Sequence, residues 1–203
     1  MSDGAARWEI PRPSLDNKLI EQKMSEASDF RVLLVYPNLS MMLTPSCAVG
    51  IFTKTLRESG YQVDLFDCTP YDSNLEFLGE PLPVTRAKTL LNSRSFDAAA
   101  LFGDIKKNLL EDFEERITLY KPNAVIFSTV VEDTWPQQEQ LLEVISRYPK
   151  INHIMGGVFT IMAPELAIKN PHVQCIGTGE GEGLIEEFCE AIRVGRHRPS
   201  DIK

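Results

Sequence analysis

The sequence predicts an α/β domain, a doubly wound, five-stranded parallel sheet with strand order 2-1-3-4-5. Two observations carry this. Short, continuously apolar runs such as Arg31-Val-Leu-Leu-Val-Tyr36 suit strands buried on both faces, as parallel strands are. These runs alternate with helix-length segments closed by glycine or proline, the rhythm of βαβ units. Right-handed crossovers leave few other topologies and put the switch point between strands one and three.

In chain order, residues 1–29 read as an N-terminal arm: Pro11 and Pro13 break early structure, and Ser14 or Asp16 can cap a short helix through about Met24. Arg31–Tyr36 is the first strand, ended by Pro37-Asn38. A loop from Leu39 to Pro45 leads to a helix over Ser46–Ser59, which Gly60 stops. Tyr61–Asp67 alternates as a second strand. Residues 68–104 form a long connection or inserted subelement, broken by Pro70, Pro81 and Pro83, with a short helix expected over Thr85–Asn92. A helix over Asp104–Tyr120 ends at Lys121-Pro122, and Asn123–Val130 is the third strand. Thr134-Trp-Pro-Gln137 reads as a capping box opening the next helix, which ends near Tyr148-Pro149. His153–Gly156 is the fourth strand, followed by a helix over Thr160–Lys169 that Asn170-Pro171 stops. His172–Ile176 is the fifth. Gly177–Gly183 then leads into a last helix, whose Leu184, Ile185, Phe188, Ala191 and Ile192 share one face. Residues 196–203 are a polar tail.

Composition narrows the function classes. The 203 residues carry a net charge of −8 with no basic stripe, which argues against nucleic acid as the main partner. No apolar run is long enough to span a bilayer, and the polar start Met1-Ser-Asp-Gly is not that of a signal peptide, so a cytoplasmic location without a membrane partner is expected. Cys47, Cys68, Cys175 and Cys189 have no metal-ligand spacing and are expected to be reduced, partly buried thiols. His153, His172 and His197 have no carboxylate or cysteine at ligand or triad spacing. No nucleophile elbow or catalytic carboxylate pair occurs, so no catalytic or metal-ligating residue is assigned.

The strand ends are more informative. Gly156-Gly157 closes the fourth strand and leaves no side chain there, so a flat, bulky ligand can lie directly on backbone. Ser128-Thr-Val130 closes the third, and its small hydroxyl can hydrogen-bond that ligand. Together they describe a slot at the carboxyl edge of the sheet, where open α/β folds bind cofactors. The Gly177–Gly183 run has neither dinucleotide nor P-loop spacing. Its Glu180 and Glu182 would repel phosphate while complementing the helix dipole. It suits a tight turn, or backbone amides close to a neutral or cationic ligand.

In order and spacing these residues resemble the cobalamin (B12)-binding domain, a Rossmann-like, flavodoxin-type fold, over about residues 30–195. The resemblance is to the version at the N-terminus of cobalamin-dependent radical SAM enzymes. Ser128-Thr-Val130 stands where the family has Ser-x-Leu, and Gly156-Gly157 matches its Gly-Gly. Val32–Asn38, Gly156–Thr160 before Pro164-Glu165, and Gly177–Glu182 are similar to the radical SAM subgroup. The resemblance implies that the dimethylbenzimidazole tail of cobalamin lies beside Ser128, Gly156 and Gly157. Thr129 and Val130 would also contact the cofactor, and the corrin would lie over Leu39, Met41, Met42, Thr44 and Pro45, over Val131 and Thr134, over Val158, Phe159 and Thr160, and over Gly179, Glu180 and Gly181. On this reading Gly157→Leu is expected to block the tail and leave a folded domain.

Two departures shape the expectation. The wider family's Asp-x-His-x-x-Gly loop is replaced by Asn38-Leu-Ser-Met-Met-Leu-Thr44, so the resemblance implies base-off cobalamin with no histidine on cobalt. The radical SAM motif Cys-x-x-x-Cys-x-x-Cys is also absent. The chain is therefore expected to bind cofactor without catalysing by itself, as an excised domain or a stand-alone relative. A radical SAM barrel in cis or trans, with S-adenosylmethionine and a [4Fe-4S] cluster, would complete a parent enzyme, a methyltransferase or a catalyst of another radical rearrangement, with the methyltransferase the leading expectation. The rival is a flavodoxin-like interaction or sensing domain that binds no cobalamin.

Overall fold

The structure, a computed structural model, describes residues 29–39, 46–72, 105–130 and 134–195. Among them β1 (Arg31–Tyr36), β2 (Gln62–Asp67), β3 (Ala124–Ser128) and β4 (Asn152–Gly156) form one parallel sheet in the order β2-β1-β3-β4. The crossovers diverge between β1 and β3. That leaves a crevice outside the carboxyl ends of the central strands.

Beyond β4, where a fifth strand is expected, the chain makes an isolated parallel bridge, Met155↔Ile176. Its hydrogen bonds are Met155 N–H to Cys175 O at 3.0 Å and Gly177 N–H to Met155 O at 2.8 Å. Pairing starts late because the Gln174 side chain, not a backbone carbonyl, accepts from His153 N–H (2.8 Å). The described sheet therefore has four strands and a bridge in the fifth place.

Among the described residues six helices pack around it: α1 (Cys47–Glu58), α2 (Leu109–Tyr120), α3 (Trp135–Ser146), α4 (Val158–Met162), α5 (Pro164–Ala167) and α6 (Gly181–Arg193). Alternation along the strands divides the core. Val32, Leu34, Ala124, Ile126 and Ile154 pack with Leu56 of α1 and Ile185, Phe188 and Cys189 of α6. Leu33, Val35, Val125, Phe127 and Met155 pack on the opposite face with Phe113 and Ile117 of α2 and Leu141, Leu142 and Ile145 of α3. Fully burying a side chain of this size contributes about 1.5–3 kcal/mol.

Several boundaries differ from expectation. The α2 helix begins at Leu109 rather than Asp104, because Lys106 is held extended in a bridge to Tyr71. The expected Thr160–Lys169 helix is two short ones. Pro164, which has no N–H for a continuing helix, opens the second. Thr134 makes no side-chain cap, since its own φ of −84° and ψ of −4° are already helical. Cys68 and Cys189 are buried, with burial pushing their thiols up, while Cys47 is exposed at the start of α1. The arm, the Thr85–Asn92 helix and the tail lie outside the described residues. No described helix is long and apolar enough to cross a membrane.

Candidate cofactor site

The site is built at the ends of β3 and β4. Ser128 and Gly156 are register partners, the last pair of the two strands. Continuing the alternation of Ile126 and Ile154, both face the side covered by α1 and α6. Ser128 is buried, and no described atom comes within 4 Å of where a Gly156 Cβ would stand. A hydroxyl therefore borders a space that a side chain could fill.

Gly157 differs from its neighbour. Its φ is +108°, and a Cβ there would overlap the carbonyl oxygen of Thr129 and lie 2.9 Å from the carbonyl carbon. Thr129 N–H also donates to Gly156 O (2.8 Å), so the two strand ends are closely tied. The expectation that Gly157→Leu leaves a folded domain is thus overturned. Gly157 serves backbone packing; the open position is Gly156.

On the opposite side of this edge, the Thr129 hydroxyl donates to Gln138 Oε1, and both residues are fully buried. Gln138 Nε2 and both amide atoms of Gln137 are buried without a hydrogen-bond partner among the described residues. Trp135 of α3 stacks on Phe159 of α4, with centroids 4.8 Å apart at an interplanar angle of 28°. The α4 helix turns Phe159 and Thr160 inward and leaves Val158, Ile161 and Met162 exposed. At the end of β1, Asn38 is buried and donates from Nδ2 to Thr69 Oγ1 (2.9 Å), whose hydroxyl donates to Asp67 (2.6 Å).

The residues expected at the site divide accordingly. Val130, Val158, Gly179 and Glu180 are exposed around the carboxyl edge, and Gly181 is half-buried in the first turn of α6, where its backbone packs on Phe52 of α1. Leu39, Thr129, Thr134, Phe159 and Thr160 are buried beneath. Met41, Met42, Thr44, Pro45 and Val131 lie outside the described residues. Buried His153 lies away from this cluster, in β4, with Nε2 2.7 Å from His172 O.

A protein-family model described as the B12 binding domain matches residues 44–189. The chain belongs to that family. Among solved structures, this B12-binding domain is similar to the radical S-adenosylmethionine methyltransferase TsrM from Kitasatospora setae, seen once with tryptophan substrate and a SAM analogue and once with cobalamin and a [4Fe-4S] cluster. Both comparisons give a TM-score of 0.57 and 18% identity over 81% of this chain. They cover only 26% and 25% of the TsrM chains, so the likeness is one of fold and spans about a quarter of those enzymes. No curated protein matches the chain. Membership in the B12-binding family weighs against the rival of a domain that binds no cobalamin.

Sequence reasoning missed Trp135, Gln137 and Gln138 beneath this edge of the B12-binding domain. A signal existed for the glutamines. Gln137 and Gln138 precede Leu141 and Leu142 by one turn and share their buried stripe, where a polar residue is out of place.

Proposed function

We propose that this chain holds cobalamin with the dimethylbenzimidazole tail in the Ser128–Gly156 slot and without a histidine on cobalt, as the cofactor domain of a radical SAM methyltransferase. The Ser128↔Gly156 register pair carries this reading. A flat aromatic tail needs depth and a hydrogen-bond donor beside it. Gly156 supplies the first, having no described atom within 4 Å of its Cβ position, and Ser128 the second. The residues present fit the group.

Each residue acts in a limited way. The Ser128 hydroxyl would donate to a tail nitrogen, on the sheet face that α1 and α6 cover. Val130, Val158, Gly179, Glu180 and Gly181 would lie under the corrin, as would Met41, Met42, Thr44, Pro45 and Val131, with Leu39 buried beneath. Thr129, Thr134, Phe159 and Thr160 support it from beneath, and Gly157 closes β4 against β3. When bound, the cobalt of cobalamin supplies methyl-transfer chemistry that no side chain of this domain provides. No histidine occurs between β1 and α1, and the Asn38 side chain donates to Thr69. That loop would therefore offer cobalt no imidazole. S-adenosylmethionine and a [4Fe-4S] cluster belong to a radical SAM barrel in cis or trans, and the assembly is cytoplasmic.

Equilibrium dialysis of the whole chain against hydroxocobalamin tests the reading. Corrin absorbance retained at one equivalent per chain is expected. Equal absorbance on both sides of the membrane would overturn it.

A further inference from the structure

We propose that Thr160 is a positioning residue that fixes the 178–180 loop over the cofactor site, an inference that rests on the reading above. Thr160 is fully buried, so it does not reach a ligand directly. Its hydroxyl lies 2.6 Å from Gly177 O and 2.9 Å from Gly157 O. A hydroxyl has one proton to donate, and the shorter distance makes Gly177 its principal acceptor.

Gly177 is consequently pinned twice. Its N–H donates to Met155 O of β4 (2.8 Å), and its carbonyl accepts from Thr160 of α4. Four residues on, the Gly181 backbone packs on the Phe52 ring of α1, where an added Cβ would come 2.7 Å from a ring carbon. Only Thr178, Gly179 and Glu180 lie between these anchors, and all three are exposed. A segment of three residues held at both ends has few conformations left to lose when a ligand covers it, and that preorganisation raises affinity. Removing the Thr160 hydroxyl would leave the Gly177 carbonyl without its side-chain donor and release one anchor.

The test pairs Thr160→Val, which keeps the volume and removes the donor, with Thr160→Ser, which keeps the donor. Hydrogen exchange of the buried Gly177 amide, which donates to Met155 O, read on the full chain without cofactor, should quicken about tenfold in Thr160→Val and match wild type in Thr160→Ser. Hydroxocobalamin affinity should fall about tenfold in the first and be restored in the second. If Thr160→Val does not fold, Thr160→Cys, a weaker donor, takes its place with a smaller increase expected. Unchanged exchange in the donor-weakened variant, or exchange equally raised in Thr160→Ser, would overturn the proposal. Because exchange is read without cofactor, a wild-type chain that binds no hydroxocobalamin would count against the functional reading alone.

Discussion

Ser128 and Gly156 stand in register at the carboxyl ends of β3 and β4, a buried hydroxyl beside a residue with open space where its side chain would be. The next residue along each strand behaves oppositely. Gly157 is crowded by the Thr129 backbone, and the Thr129 hydroxyl is committed to Gln138. One residue step thus separates the slot from its support, as the two-residue period of a strand requires.

The two glycines should respond differently to substitution. Gly156→Leu fills the slot and should weaken hydroxocobalamin binding at least about 100-fold, or about 2.7 kcal/mol, with little change in melting temperature. Gly157→Ala should cost about 1–3 kcal/mol of stability from backbone strain alone, more if the strand ends separate. Urea unfolding and corrin titration of both variants check this. Equal effects of the two on binding, with both fully stable, would contradict it.

Removing the slot hydroxyl should discriminate between corrinoids. Ser128→Ala should weaken cobalamin binding by about two- to tenfold, the worth of one hydrogen bond. Cobinamide, which lacks the dimethylbenzimidazole tail, should bind both proteins alike. A loss of the same size for cobinamide would remove Ser128 from the tail site.

The Thr129–Gln138 pair should show the asymmetry of buried polar groups. Thr129→Val deprives Gln138 Oε1 of its donor and should destabilise the domain by about 1–3 kcal/mol. Adding Gln138→Met should recover most of that, since neither partner then leaves a buried polar atom unpaired. A double mutant no more stable than Thr129→Val would show that the pair does not act as a unit.

His153 should make stability pH-dependent. Burial lowers its pKa from 6.5, with the His172 charge lowering it further and the bond to His172 O opposing both. The folded chain then binds this proton more weakly than the unfolded chain. The stabilising contribution is therefore complete above 6.5 and is lost as pH falls from there through the folded value. The urea midpoint should drop between about pH 7.5 and about pH 5.5. His153→Gln, which keeps a donor for His172 O and does not titrate, should flatten the slope; an unchanged slope would point to other groups.

Much of this was legible in the residues. The run Val32–Tyr36 could only be a strand buried on both faces, and Gly60, with φ of +89°, stops α1 where its position indicates. The pairing of Ser128 with Gly156 followed from two strand ends read together. The rest depended on contacts between segments far apart in the chain. Nothing local distinguishes Gly156 from Gly157, because the deciding atom is a carbonyl on the neighbouring strand. Thr160 read as a ligand contact, although its hydroxyl turns inward to Gly177, seventeen residues away. A side chain, Gln174, displaces the backbone bond that would have begun a fifth strand earlier.

The most direct test of the central claim is the absorbance spectrum of methylcobalamin bound to the wild-type chain at neutral pH, recorded after gel filtration. The corrin is expected to elute with the protein and to show the base-off spectrum, as it must if the tail lies in the Ser128–Gly156 slot and no histidine reaches cobalt. Corrin that elutes apart from the protein, or a retained corrin with a base-on spectrum, would contradict it.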